Sequence, residues 1–242
     1  MTFPPQNGLP RLENAGIDAW LVRLFDTIDE ANMPWITALV EACEQALGDN
    51  LVDMVPSYTT VLVHYDSLKL DAQQVKNVLQ SLLVGLTAND TCANAGIKEL
   101  PVWYDPSVGP ELALLQQQTG FSLERIIQLH SEHSYRVFAL GFAPGFAFMG
   151  SLPAELELPR LNTPRKRVPA GSVAITGRQT SAYPQVSPGG WNLIGRTPAR
   201  LFDPESQALS LLQVGDRVRF VPVDKEEFIR LGGDTTATET LS

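Results

Sequence analysis

The chain has 242 residues, 44% hydrophobic and 19% charged, with 18 Lys and Arg against 27 Asp and Glu for a formal net charge of −9. That apolar fraction supports real cores in one large domain or two small ones and argues against disorder. The acidity argues against a general binder of nucleic acid or anionic membrane, and two cysteines, Cys43 and Cys92, are too few for a disulfide framework. No apolar run approaches the ~20 residues needed to cross a bilayer, and the opening MTFPPQNGLPRLENAG lacks the basic and apolar regions of a secretory signal. A soluble, cytoplasmic protein is the expectation.

Charge and turn residues divide the chain. Residues 1–100 carry 5 basic and 13 acidic side chains, whereas residues 151–200 carry 7 basic and 2 acidic. No carboxylate side chain occurs between Leu158 and Phe202, and residues 141–200 hold 8 of the 18 glycines and 8 of the 18 prolines. An acidic domain over 1–100, a turn-rich one over 101–231 and a flexible tail over 232–242 are expected.

Ala19–Phe25 (AWLVRLF) is a short apolar run fit for a strand. Trp35, Ile36, Leu39, Val40, Cys43, Ala46 and Leu47 recur at helical spacing, with Pro34 near the start and Gly48 just past the end, where each is best tolerated. Thr59–Tyr65 is β-branched and aromatic, a strand. Asp71 and Gln74 have capping-box spacing ahead of a second helix whose buried stripe is Val75, Val78, Leu79, Leu82 and Leu86. Ile97–Tyr104 returns as a strand. This order predicts an α+β domain of ferredoxin-like type. Pro110–Gly120 and Ser122–His130 read as two short helices. Tyr135–Leu140, Ser172–Thr176, Ala199–Phe202, Leu209–Leu212 and Arg217–Val223 are strands among Gly/Pro-rich turns, as in a β-barrel or sandwich.

Familiar catalytic signatures are mostly missing: no phosphate loop, no Gly-x-Gly-x-x-Gly and no Gly-x-Ser-x-Gly are present. Cys43 and Cys92 read as buried thiols, and His64 as a structural strand residue. His130 and His133 have no third ligand at metal spacing, so no metal site is expected. His130 is either a helix-end residue or a general acid–base, since histidine titrates near neutrality. Gly141–Gly150 (GFAPGFAFMG), with Phe142, Pro144, Gly145 and Phe146, is either a plug for a barrel end or one aromatic wall of a pocket. Arg165, Lys166 and Arg167, bracketed by Pro164 and Pro169 with no acid nearby, are either a solvated basic turn or an anion seat. Ser172, Gln179, Tyr183 and Ser187 add polar groups, and Gly189 and Gly190 ahead of Trp191 could point backbone amides at an anion. Together these predict a cationic, backbone-rich pocket for a small anionic molecule.

The run GFAPGFAFMG, then TPRKRVPAGSVAITGRQTSAYPQVSPGGWNLIGRTPARLFDP, resembles the allophanate-hydrolase subunit 1 family, as does the upstream VWYDPSVGPELALLQQQTGFSLERIIQLHS. The resemblance runs from about residue 12 to 225 and departs from the expected Tyr-Gly-Gly turn at Tyr104-Asp105-Pro106. That family includes the B subunit of ATP-dependent 5-oxoprolinase and the kinase inhibitor KipI. The resemblance implies a ferredoxin-like domain followed by a cyclophilin-like barrel, the equivalent of a carboxyltransferase domain. It also implies companion A and C subunits, the C subunit homologous to this chain, with which it opens 5-oxoproline to L-glutamate. ATP is the implied co-substrate, with Mg, and no metal is bound by this chain itself. For that chemistry this chain's own candidates are Arg165, Lys166, Arg167 and the Gly189 and Gly190 amides, with Arg167 and His130 as the expected catalytic residues. Alternative readings within the family are a KipI-like inhibitor of a sensor histidine kinase and the equivalent half of an allophanate hydrolase or urea carboxylase.

Overall fold

A computed structural model of the chain describes residues 8–89 and 96–239. Cys92 lies outside the described residues. The chain forms two compact units that divide between Ala95 and Gly96.

The first unit runs β1 (Arg11–Asn14), β2 (Ala19–Arg23), α1 (Met33–Leu47), β3 (Leu51–Pro56), β4 (Thr60–Tyr65) and α2 (Ala72–Gly85). Its sheet has the order β1-β2-β4-β3 and is antiparallel throughout. Alternation sorts the faces: Val61, Val63 and Tyr65 of β4 are buried, while Thr60, Leu62 and His64 are only partly covered. Helix α1 buries Trp35, Ile36, Leu39 and Cys43 along one stripe and stops at Gly48, whose φ of 49° suits a residue without Cβ. Helix α2 starts on the expected capping box, with the Gln74 amide donating to Asp71 at 2.8 Å and the Asp71 amide donating to the Gln74 side chain at 2.8 Å. The His64 ring sits 3.0 Å from the Asp18 carboxylate, and desolvation pushes the buried Cys43 thiol up to about 12, which leaves it inert.

The expected last strand of this unit is a correction. Residues 98–102 form β5 (Lys98–Val102), which pairs in parallel with β13 (Arg217–Pro222) of the second unit. The sheet edge in the first unit is taken instead by β1, a strand of mixed polarity with no strong alternation to announce it.

The second unit continues with α3 (Leu112–Thr119), α4 (Leu123–Ser131), β6 (Tyr135–Leu140), β7 (Ala147–Gly150), β8 (Arg165–Val168), β9 (Ser172–Thr176), β10 (Gln179–Ala182), β11 (Ser187–Gly189) and β12 (Asn192–Arg196), and ends on β13 and α5 (Lys225–Arg230). Seven strands form one sheet in the order β12-β9-β10-β7-β6-β13-β5. Just beyond β5, Trp103 exchanges backbone hydrogen bonds with Arg196 of β12, at 2.9 and 3.0 Å, so the two ends of the sheet meet in a nearly closed, mixed barrel. Its interior is filled by Leu100, Val102, Tyr135, Val137, Met149, Val173, Ile175, Ile194 and Phe220. Strands β8 and β11 make a separate two-stranded ribbon.

Two further expectations change. Ala199–Phe202 and Leu209–Leu212 are not strands; they meet through the isolated Phe202–Ser210 bridge, with the Leu211 amide donating to the Leu201 carbonyl at 2.9 Å. The segment after Gly232, expected to be flexible, is anchored over Asp234–Glu239. Arg196 donates to the Asp234 and Thr236 carbonyls at 2.7 Å each and to the Thr238 hydroxyl at 2.8 Å, and the Thr238 amide donates to the Ser107 carbonyl at 2.7 Å.

Candidate functional site

The loop between β6 and β7 contains Phe142, whose φ of 71° places a bulky side chain in the left-handed region that L residues avoid. Its ring is 62% exposed and stands edge-on to Phe146, 5.2 Å between centroids. Phe146 is the hub of an aromatic group, meeting Tyr183 at 5.2 Å, Trp191 at 5.7 Å and Phe148 at 4.8 Å, all edge-to-face. Strand alternation explains part of this arrangement, because Phe146 and Phe148 are two residues apart and project to the same side.

These rings line a cavity of about 250 Å³ completed by Arg160, Pro164, Pro188, Gly189 and Gly190. The ribbon fixes that second wall: Pro164 immediately precedes β8, and Pro188 and Gly189 belong to β11. Gly189 lies against the Tyr183 ring, where a Cβ would overlap the hydroxyl oxygen and come within 2.9 Å of Cζ. The Leu161 amide donates to the Gly190 carbonyl at 2.8 Å, which holds the segment carrying Arg160 beside the pocket. Arg160 is the single charged residue of the lining and is exposed, with no ion-pair partner among the described residues. Burial raises the Tyr183 phenol above its ordinary value, opposed by the Trp191 backbone amide and by the charges of Arg160 and Arg165. Tyr183 is therefore a neutral hydroxyl at neutral pH.

Of the residues singled out in the sequence, Phe142, Phe146, Tyr183, Gly189, Gly190 and Trp191 line the cavity. The rest do not. Arg165 is 3% exposed and engaged by Glu111, with its Nη2 donating to Oε1 at 2.6 Å. Lys166 and Arg167 point to solvent from β8, so the basic triplet is not the cation of this cavity. Pro144 is exposed, and Gly145 is buried against the Leu201 carbonyl. Ser172 is fully buried, while Gln179 and Ser187 are partly covered outside the lining.

His130 belongs to the core, not to an open site. It is fully buried, its Nδ1 lies 2.6 Å from the Tyr104 hydroxyl, and its Nε2 lies 2.9 Å from Thr180 Oγ1, which itself donates to the Ala174 carbonyl at 3.2 Å. Stacking on Phe220 at 4.5 Å completes its cage. Desolvation, with a smaller push from His133, lowers its pKa to about 3. A ring with both nitrogens engaged and no exposure has no position from which to exchange a proton with a substrate.

Arg160, Pro164 and Pro188 do not stand out in the sequence as site residues, whereas Phe148 belongs to the aromatic decapeptide and does line the cavity. Arg160 is legible there only as one more cation in an acid-free stretch, five residues before a more conspicuous triplet. Glu111 is invisible as Arg165's partner, since 54 residues separate them. The Tyr104-Asp105-Pro106 turn is closed by Asp105, whose Oδ1 accepts from the Ser107 amide at 2.9 Å and the Ser107 hydroxyl at 2.6 Å. Among the described residues no group of three or more His, Cys, Asp or Glu side chains gathers to hold a metal, and no helix is long and apolar enough to cross a membrane.

The fold is that of a carboxyltransferase domain: the chain belongs to the family described as carboxyltransferase domain, subdomain C and D, which matches residues 10–212. It is similar to the B subunit of 5-oxoprolinase from Bacillus subtilis (strain 168), 33% identical over 228 residues that cover 90% of this chain and 95% of that one. Among solved structures it is similar to TTHA0988, with a TM-score of 0.75 and 37% identity over 86% of this chain; it spans 40% of that longer chain. The urea carboxylase of Kluyveromyces lactis shares the fold, with a TM-score of 0.68 at 20% identity, over 90% of this chain and 22% of that one.

Proposed function

We propose that the chain is the B subunit of an ATP-dependent 5-oxoprolinase, inactive alone, which with the A and C subunits opens 5-oxoproline to L-glutamate as ATP is hydrolysed. The observation that carries this reading is the match to a protein of that name over nearly the full length of both chains. The reading places the complex in the cytoplasm and takes Mg with ATP as co-substrate. It takes the first unit as ferredoxin-like, on the strength of β4 lying between β2 and β3, with α1 connecting β2 to β3 and α2 following β4. The barrel is taken as cyclophilin-like.

The chemistry requires two kinds of contact. A five-membered lactam is an unreactive amide, and phosphorylating its oxygen turns the ring carbon into an electrophile that water attacks. The ring itself needs a water-poor seat, which the aromatic cavity supplies. The transferring phosphoryl group needs cations. Lys166 and Arg167, exposed on β8, are the ones this chain presents to a phosphate brought by a companion chain. The test is reconstitution: the purified chain is mixed with its A and C subunits, and glutamate formed from 5-oxoproline and ATP is measured. Glutamate formation that depends on this chain is expected, and the same rate without it would overturn the proposal. Within an active complex, Arg167→Ala is expected to slow turnover at least 10-fold, and an unchanged rate removes Arg167 from the reaction.

A further inference from the structure

We infer that the aromatic cavity is a binding site for a single small ring that bears a carboxylate, with Arg160 receiving the carboxylate and the Tyr183 hydroxyl donating to a ring carbonyl. This deepens the oxoprolinase reading and rests on it only for the choice of 5-oxoproline as the natural probe.

Size limits the ligand first. A cavity of about 250 Å³ lies below the roughly 300–1,000 Å³ of sites for drug-sized molecules. It holds one ring with a substituent and has no room for a nucleoside triphosphate, so ATP must sit elsewhere. Shape limits it next. The rings of Phe146, Tyr183 and Trp191 meet edge-to-face, and Gly190 and Pro188 bring the opposite wall close. Such walls favour a flat, largely apolar body over a flexible polar chain.

Charge then fixes the head group. The lining contains one charged side chain, Arg160, and no carboxylate. Among the described residues the guanidinium forms no ion pair. A planar fork at the edge of an apolar cavity matches a carboxylate in two parallel hydrogen bonds. Tyr183 lines the cavity with its hydroxyl beside Gly189, so a neutral phenol has its O–H at the cavity wall to donate to a ligand. A ligand with a carbonyl on the ring and a carboxylate beside it meets both groups; one with either alone meets half of the site.

Three ligands separate these contributions: 5-oxoproline, 2-pyrrolidinone without the carboxylate, and cyclopentanecarboxylate without the lactam. Binding to the full chain, alone and assembled with its companion subunits, is followed by titration calorimetry. 5-Oxoproline is expected to bind at least 10-fold more tightly than 2-pyrrolidinone. Arg160→Met is expected to abolish that preference, and Arg160→Lys to restore part of it. Tyr183→Phe is expected to weaken 5-oxoproline while leaving cyclopentanecarboxylate unchanged. Equal binding of 5-oxoproline and 2-pyrrolidinone, an unchanged affinity in Arg160→Met, or no binding in either form of the protein overturns the inference. The two readings fail separately. An active complex in which Arg160→Met keeps the wild-type KM sinks the site and spares the chain's place in an oxoprolinase. Arg160-dependent binding of cyclopentanecarboxylate, in a protein that supports no glutamate formation, does the reverse.

Discussion

Glu111 ties three pieces of the second unit together through one carboxylate: Oε1 accepts from Arg165 at 2.6 Å on β8, and Oε2 accepts from the Leu193 amide at 2.7 Å on β12. Both side chains are nearly inaccessible, so the pair is poorly screened by solvent. Its importance lies in what its loss leaves behind. Glu111→Ala strands a buried guanidinium and a buried amide, and is expected to cost about 3–5 kcal/mol. Glu111→Gln keeps one acceptor for the amide or the guanidinium and is expected to cost less. Urea midpoints of the two variants check this, and an Ala variant as stable as the parent would show the pair to be idle. Because β8 and β11 are hydrogen-bonded, the same variants are expected to loosen Pro164, Pro188 and Gly189 at the pocket wall.

The barrel seam closes on Arg196, and the segment that keeps it closed comes from the far end of the chain. Arg196 is 1% exposed, and its guanidinium donates to three acceptors within Asp234–Thr238. Burial lowers its pKa, against the favourable charge of Asp234. A chain ending at Gly233 removes all three acceptors from a buried cation. Hydrogen bonds to charged groups contribute about 1.5–3 kcal/mol each, not additively, so a total loss of about 3 kcal/mol is expected. Thr238→Val removes one of them and is expected to cost about 1.5 kcal/mol. Denaturant unfolding of both variants measures the losses, and a truncated chain with the parent's midpoint would mean the segment contributes nothing.

What the sequence revealed was local, and what it hid was distant. The Asp71 and Gln74 capping box and the spans of β6 and β9 follow from patterns within a few residues, and they stand as read. The aromatic decapeptide at Phe142 and Phe146 is legible for the same reason, though the sequence leaves open whether it plugs the barrel or walls a pocket. Of the basic triplet, Arg165 is the member whose surroundings the sequence hides, because charge counting along a chain cannot see across it. Arg165 is neutralised from Glu111, and the charge of Arg167 acts on Asp234 in the C-terminal segment. Strand β5 carries ordinary strand composition, but its partner β13 lies about 120 residues further on, and Arg219 on β13 pairs with Glu99 across that gap. Composition identifies a strand without naming its sheet. The same blindness assigned His130 a chemical role: a histidine at a helix end reads alike whether it opens to solvent or stacks on Phe220.

His130 predicts how stability depends on acidity. Its folded pKa is about 3, against about 6.5 in an unfolded chain. Between these values the unfolded state binds a proton that the folded state refuses, so stability falls as pH falls through the window and is complete above it. One such group gives a slope of about 1.4 kcal/mol per pH unit between roughly pH 6.5 and 3. His130→Phe keeps an aromatic body between Tyr135 and Phe220 but cannot titrate. It also strands the Tyr104 hydroxyl, so it is expected to be less stable than the parent at pH 7 and to lose stability more slowly on acidification. Unfolding free energies from pH 4 to 7.5 test this, and parallel curves for the two proteins would place the acid sensitivity elsewhere.

Gly189 and Tyr183 provide the most local handle on the cavity. The glycine has an ordinary backbone, so its importance is space: a methyl group there meets the Tyr183 hydroxyl and ring. Tyr183 cannot retreat freely, since Phe146 and Phe142 both stand edge-on to it. Gly189→Ala is therefore expected to destabilise the second unit by about 1–3 kcal/mol through overpacking and to narrow the pocket from the Tyr183 side. Tyr183→Phe in the same chain removes the worst overlap but leaves Cζ at 2.9 Å, so it is expected to recover only part of the loss. A double-mutant cycle on unfolding free energy, with ring-ligand binding measured alongside, isolates this contact. Strict additivity of the two substitutions would show that the glycine is not there to make room for the phenol.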